Sequence, residues 1–162
     1  MNIRPNNYAF IDSQNLNLGI RSLGWRLDYA RFRRYLAEKY DVRVAYIFIG
    51  YIPGNQALYS SLQKMGYVLI LKPTIPDGAG HIKGNCDADL VVQAMLDREA
   101  YDQAVIISSD GDFYSLVAHL YESKKLKCVM SPYIKTCSTL LKKSAKEKIV
   151  FMDNLQQKLG RK

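Results

Sequence analysis

The chain has 162 residues, 48% apolar and 23% charged, with 23 Lys+Arg against 15 Asp+Glu and a formal charge of +8. These proportions suit a folded globular chain and argue against disorder, and the length suits one domain over residues 1–162. Three cysteines with no C-x-x-C pair argue against a disulfide scaffold, and two histidines are too few for an ordinary closed zinc site.

In chain order, residues 8–11 (YAFI) form a short apolar run that ends on Asp12. No apolar h-region follows Arg4, so the start does not read as a secretory signal. The segment 13–17 (SQNLN) does not read as a helix start, which makes Asp12 hard to explain as a helix cap. Residues 28–40 carry Tyr29, Phe32, Leu36 and Tyr40 near helical spacing, with Asp28 as the N-cap. Residues 42–49 (VRVAYIFI) are rich in β-branched and aromatic side chains and predict a strand. The charge-free stretch 44–63 is about as long as a membrane span. Pro53-Gly54-Asn55-Gln56 in its middle makes it strand, turn and helix start instead. No membrane partner and a cytoplasmic location are the resulting expectations.

Further strands are expected at 67–71, 104–107, 126–130 and 149–152, and helices at 55–65, 87–98, 112–123 and 134–145. Continuous apolar runs suit strands buried on both faces, and their alternation with helices predicts a three-layer α/β/α sandwich with a mainly parallel, Rossmann-like sheet. Residues 76–84, rich in glycine, read as the most flexible internal loop.

The charge is uneven. Residues 124–162 hold eleven Lys/Arg and two acids, whereas the first 123 hold twelve and thirteen. A second basic cluster comprises Arg26, Arg31, Arg33 and Arg34. A polyanion is one partner such clusters fit; a solvated helix face with a frayed tail is the other reading.

Acids gather where strands end or helices begin: Asp12, Asp87 and Asp89, Asp110 and Asp112. Open α/β sheets bind ligands at the carboxyl ends of their strands. Each of the later four also suits an N-cap or first helical turn. If the first and fourth strands are neighbours, the acids converge, and such a group needs protons or a cation. Oxygen donors of this kind suit Mg²⁺ or Mn²⁺. No P-loop or G-x-G-x-x-G is present, so no nucleotide cofactor is expected. Cys86, beside the acids, should have a raised thiol pKa that disfavours nucleophilic use.

The segments YAFIDSQNL, KGNCDADL and IISSDGDF together resemble the NYN (LabA-like) domain of the PIN-like nuclease superfamily, from about residue 7 to 152. The resemblance implies an acid cluster that binds divalent metal and cleaves RNA, leaving a 5′-phosphate and a 3′-hydroxyl. Matched by position, it implies Asp12, Asp87, Asp110 and Asp112 as metal-binding and catalytic acids, with Asn15 in the same site and Asp89 as an additional or peripheral ligand. Lys83 and Ser109 would contact or orient the phosphate, while Arg31, Arg34, Lys142 and Lys143 would track the RNA backbone. Ser13 and Ser109 depart from glycines usual in the family, which bears on loop geometry but removes no carboxylate. Tyr51 and Tyr133, near strand ends, are the better candidates for base stacking. A catalytically weak RNA-binding adaptor on the same fold is the alternative. The oligomeric state, a homo-oligomer included, is left open.

Overall fold

The apolar runs become the buried strands of a parallel sheet. The computed structural model describes residues 3–76, 82–83 and 86–162. In chain order the elements are β1 (Asn7–Asp12), α1 (Ser13–Ser22), α2 (Tyr29–Tyr40), β2 (Val42–Tyr51), α3 (Gln56–Lys64), β3 (Tyr67–Pro73), β4 (Ile75–Pro76), β5 (Ile82–Lys83), α4 (Asp87–Leu96), β6 (Ala104–Ile107), α5 (Tyr114–Glu122), β7 (Leu126–Ser131), α6 (Thr139–Ala145), β8 (Ile149–Phe151) and α7 (Gln156–Leu159). Six strands pair in the order β3-β2-β1-β6-β7-β8, all parallel. β4 and β5 form a separate antiparallel ribbon. The loop at 76–84 falls largely outside the described residues, which include none of 77–81 or 84.

Alternate side chains of β1 explain the two layers. Ala9 and Ile11 face a core with Leu16 and Ile20 of α1, Phe32 and Leu36 of α2, Leu62 of α3 and Leu159 of α7. Phe10 faces the opposite core with Leu90 and Ala94 of α4, Leu116, Val117 and Leu120 of α5, and Leu141 and Ala145 of α6. This strand order reverses direction between β1 and β6: the chain leaves β1 toward β2 and leaves β6 toward β7. The crevice above such a switch point, at the carboxyl ends of the strands, is where open α/β sheets bind ligands.

Two local expectations are corrected. Residues 13–22 do form a helix, and Asp12 is its N-cap, accepting from the Asn15 backbone N–H at 3.3 Å. Asn15 and Asn17 are weak helix formers, but Leu16 and Ile20, four residues apart, are both buried against β1. Tertiary burial supplies what propensity lacks; truncating Leu16 to Ala should cost about 2–5 kcal/mol. The helix expected over 134–145 is divided. A 3-10 turn at Ile134–Thr136 is followed by extended Cys137, and α6 starts only after Ser138, whose hydroxyl caps the Leu140 and Leu141 N–H groups.

A candidate metal centre at the sheet switch point

Ile11 of β1 is in register with Ile107 of β6, so Asp12 and Ser108 leave the sheet side by side. The Ser108 hydroxyl donates to Asp12 Oδ2 at 3.1 Å and accepts from the Asp110 N–H at 3.0 Å. One buried serine thus orients the acids of both strands. Asn15, one turn into α1, accepts the Ser109 N–H on its Oδ1 at 2.8 Å and ties α1 to the loop after β6. The Ser109 hydroxyl pairs with Ser131 Oγ at 2.8 Å at the end of β7, and its carbonyl accepts from the Ser138 N–H. Gly111 lies so close to Ser138 that a Cβ there would collide with the hydroxyl, which explains a glycine between the two aspartates.

The third acid arrives from the opposite layer. α4 packs Leu90 and Ala94 against the core under Phe10, and its first residue, Asp87, points its carboxylate to the same crevice. One oxygen each of Asp12, Asp87 and Asp110 lie within 4.8 Å of one another. None of the three carboxylates is fully exposed. Burial, then the charges of Asp12 and Asp110, pushes the Asp87 carboxyl up to about 6, and a hydrogen bond to Asp110 contributes. Burial also raises Asp12, opposed by the Asn15 N–H and the Ser108 hydroxyl. Cys86 is pushed up to about 11, by burial first and the Asp89 charge second, which keeps it a thiol. Hard oxygen donors at this separation, with local charge repulsion, could hold a divalent metal ion.

The remaining residues lie around this trio. Asp112 is exposed and its N–H donates to Asp110 Oδ1 at 2.9 Å; its charge still reaches Asp87. Asp89, two residues into α4, faces Lys72 Nζ at 3.8 Å. Lys83 lies in β5, and its side chain is outside the described ones. Tyr51 packs on Tyr59, with ring centroids 5.9 Å apart, and Tyr133 follows β7 half-buried.

The basic residues sort into two groups. Arg33 is spent on the fold: its guanidinium donates to the carbonyls of Gly66, Val42 and Arg43 at 3.0–3.2 Å. Lys125 likewise donates to the Arg98 and Tyr101 carbonyls, and Lys148 to that of Leu126. Arg31 and Arg34, by contrast, line a cavity of about 490 Å³ with Tyr35, Lys39 and Lys158. Lys142 lies over the Phe151 ring, and Lys143 is exposed on α6. Sequence reading missed Ser108, Ser131 and Ser138. Polar residues directly beyond a fully apolar strand were the available signal for Ser108.

The sequence profile of the NYN domain matches residues 8–153. The low amplitude and bright protein LabA of Synechococcus elongatus is 30% identical over 124 residues, covering 70% of this chain and 67% of that protein. A crystal structure of a protein of unknown function from Vibrio parahaemolyticus superposes with a TM-score of 0.75 at 24% identity, over 98% of this chain and 99% of that one. Among the described residues, no helix is long and apolar enough to cross a membrane. With a parallel α/β sandwich, acids at its switch point and a profile match over nearly its whole length, the chain belongs to the NYN domain family, LabA-like members of the PIN-like nuclease superfamily.

Proposed function

We propose that the chain is a divalent-metal-dependent ribonuclease. The observation that carries this reading is the carboxylate trio of Asp12, Asp87 and Asp110, with one oxygen each within 4.8 Å of the others, in the crevice where this strand order binds ligands. These three residues would hold one or two Mg²⁺ or Mn²⁺ ions, with Asp112 and Asp89 at the rim. A bound ion would supply Lewis acidity at a phosphodiester and make water a better nucleophile at neutral pH. The chain's own residues supply the orientation. Ser108 and Asn15 fix the acids and the loop that carries Asp110, as outer partners of ligating carboxylates do. Lys83 would meet the phosphate, while Ser109, its N–H held by Asn15 and its hydroxyl paired with Ser131, would steady the loop that carries Asp110. The cavity at Arg31 and Arg34, and the Lys142–Lys143 pair, would follow the RNA backbone. Tyr51 and Tyr133 offer rings for unpaired bases.

The test is cleavage of single-stranded and structured RNA with Mn²⁺ or Mg²⁺, in the wild type and in Asp12→Asn and Asp110→Asn. Metal-dependent cleavage lost in both variants supports the reading. Wild-type rates in the variants would show that the chemistry lies elsewhere. Tight RNA binding with no cleavage by any metal would make the chain an RNA-binding adaptor.

A further inference from the structure

The two basic clusters of the sequence meet in the fold. Past α7 the chain runs back along the α1–α2 connection: the Leu159 carbonyl accepts from the Asp28 N–H, Gly160 bridges Leu27 in antiparallel fashion, and the Arg161 N–H donates to the Arg26 carbonyl at 2.8 Å. Gly160 makes this approach feasible. A Cβ there would stand 2.6 Å from the Gln156 carbonyl oxygen and 3.4 Å from the buried Trp25 ring. The result is a pocket of about 200 Å³ lined by Asn17, Arg21, Arg26, Leu27, Tyr29 and Arg161.

Its chemistry is one-sided. Three arginines line it, no acidic residue does, and among the described residues none of the three arginines has an acid within 4.0 Å. The nearest acid in sequence, Asp28, is committed to capping α2 through the Arg31 N–H and to the Arg31 guanidinium. The Arg161 charge is felt at the Tyr29 phenol, and Asn17 and Arg21 of the pocket lie on α1, the helix that Asp12 caps. The pocket therefore adjoins the segment that carries the acid site. Residue choice is telling too. Ten of the eleven basic residues after residue 123 are lysine, and the one arginine is the one that reaches this pocket. A solvated tail has no use for that distinction. A planar fork that binds oxyanions in two-point fashion does.

We infer that Arg21, Arg26 and Arg161 form a phosphate-binding pocket, separate from the carboxylate trio, that holds a phosphate group of the RNA. The inference rests on the reading of the chain as one that acts on RNA. The C-terminal segment is then part of the binding surface, since it brings Arg161 to the other two.

The experiment measures binding of a labelled single-stranded RNA by full-length protein in EDTA, so that no cleavage is involved, across a salt titration. The RNA is used with and without a 5′-phosphate. The triple variant Arg21→Ala, Arg26→Ala, Arg161→Ala alters only exposed side chains and keeps the main-chain bridge. It should bind about tenfold more weakly, with the slope of log K against log salt shallower by about 0.7 for each phosphate that is no longer neutralised. Gly160→Val, which retains every arginine, should weaken binding in the same direction while a thermal melt shows the fold intact. A matched charge control, Lys64→Ala, Lys124→Ala, Lys127→Ala, should change both readouts less than half as much. Equal loss on both RNAs identifies an internal phosphodiester, and loss confined to the 5′-phosphorylated RNA identifies a terminal phosphate; either supports the pocket. An unchanged slope in the triple variant, or an equal loss in the control, overturns it. Pocket-dependent binding without cleavage would fail the nuclease reading alone, and cleavage with pocket-independent binding would fail this one alone.

Discussion

The carboxylate trio and the arginine pocket both crowd like charges, but the protein manages the two in different ways. Asp12, Asp87 and Asp110 are partly buried, and Asp12 and Asp110 are held in place by the Ser108 hydroxyl and by backbone N–H groups. Burial strengthens their repulsion, so Asp12 and Asp87 take up protons more readily than free aspartate does. Arg21, Arg26 and Arg161 are exposed, and water screens them. A guanidinium cannot shed its proton to relieve crowding, so exposure is its remaining relief. On the proposed reading, a cation would relieve the repulsion in the acid site, whereas the basic pocket would take an anion at little cost.

The comparison can be broken most decisively at the acids. Asp110→Asn should lower Mn²⁺-dependent RNA cleavage by on the order of 10³-fold while RNA binding in EDTA is kept, because the loss falls on chemistry and not on the basic surface. Binding and cleavage assays on the same preparations check it. Next in size is the response to metal. At a concentration about 100-fold above its Kd, Mn²⁺ should stabilise the wild type by about 2.7 kcal/mol, roughly 5–10 °C in melting temperature, and Asp87→Ala should remove most of that rise. Differential scanning fluorimetry with and without EDTA reads both.

A third test separates structural from binding arginines. Arg33→Ala leaves the carbonyls of Gly66, Val42 and Arg43 without their donor and should cost about 1.5–3 kcal/mol in urea unfolding, while RNA affinity changes little. The arginines of the pocket should show the reverse pattern.

The smallest effect concerns pH. The folded-state pKa values of Asp12 and Asp87 are raised, so between about pH 4 and 6 the folded state binds more protons than the unfolded one. Stability without metal should therefore be fully present below pH 4 as far as these groups are concerned, and fall as pH rises to about 6. With discounting for solvent screening, the Asp87 contribution is about 1 kcal/mol. Asp87→Asn should flatten that decline, as measured by denaturant melts in EDTA from pH 4 to 7.

Much of this was legible in the sequence, for identifiable reasons. Runs such as AVII at 104–107 lack any polar residue, so they could only be strands covered on both faces, and all four are buried. Asp28 sits one residue before an amphipathic run and caps α2 as its position predicts. Acids directly after apolar strands stood out because a buried strand has no local need of them. Less legible was α1. Its asparagines argue against a helix, and only contact with β1 shows that Leu16 and Ile20 have a core to enter. Asp12 is consequently both a cap and a member of the acid trio, two roles that look like alternatives in the sequence.

Local patterns thus determined the strands, most helices, the acids at strand ends and the uneven charge, since each depends on residues within a few positions of one another. The tertiary structure decided which acids meet, that Arg33 serves the fold while Arg31 and Arg34 line a cavity, and that Arg161 joins Arg21 and Arg26. Those outcomes depend on partners far apart in the chain, chosen by the packing of the whole sheet and its two helical layers, and no local window of sequence contains them.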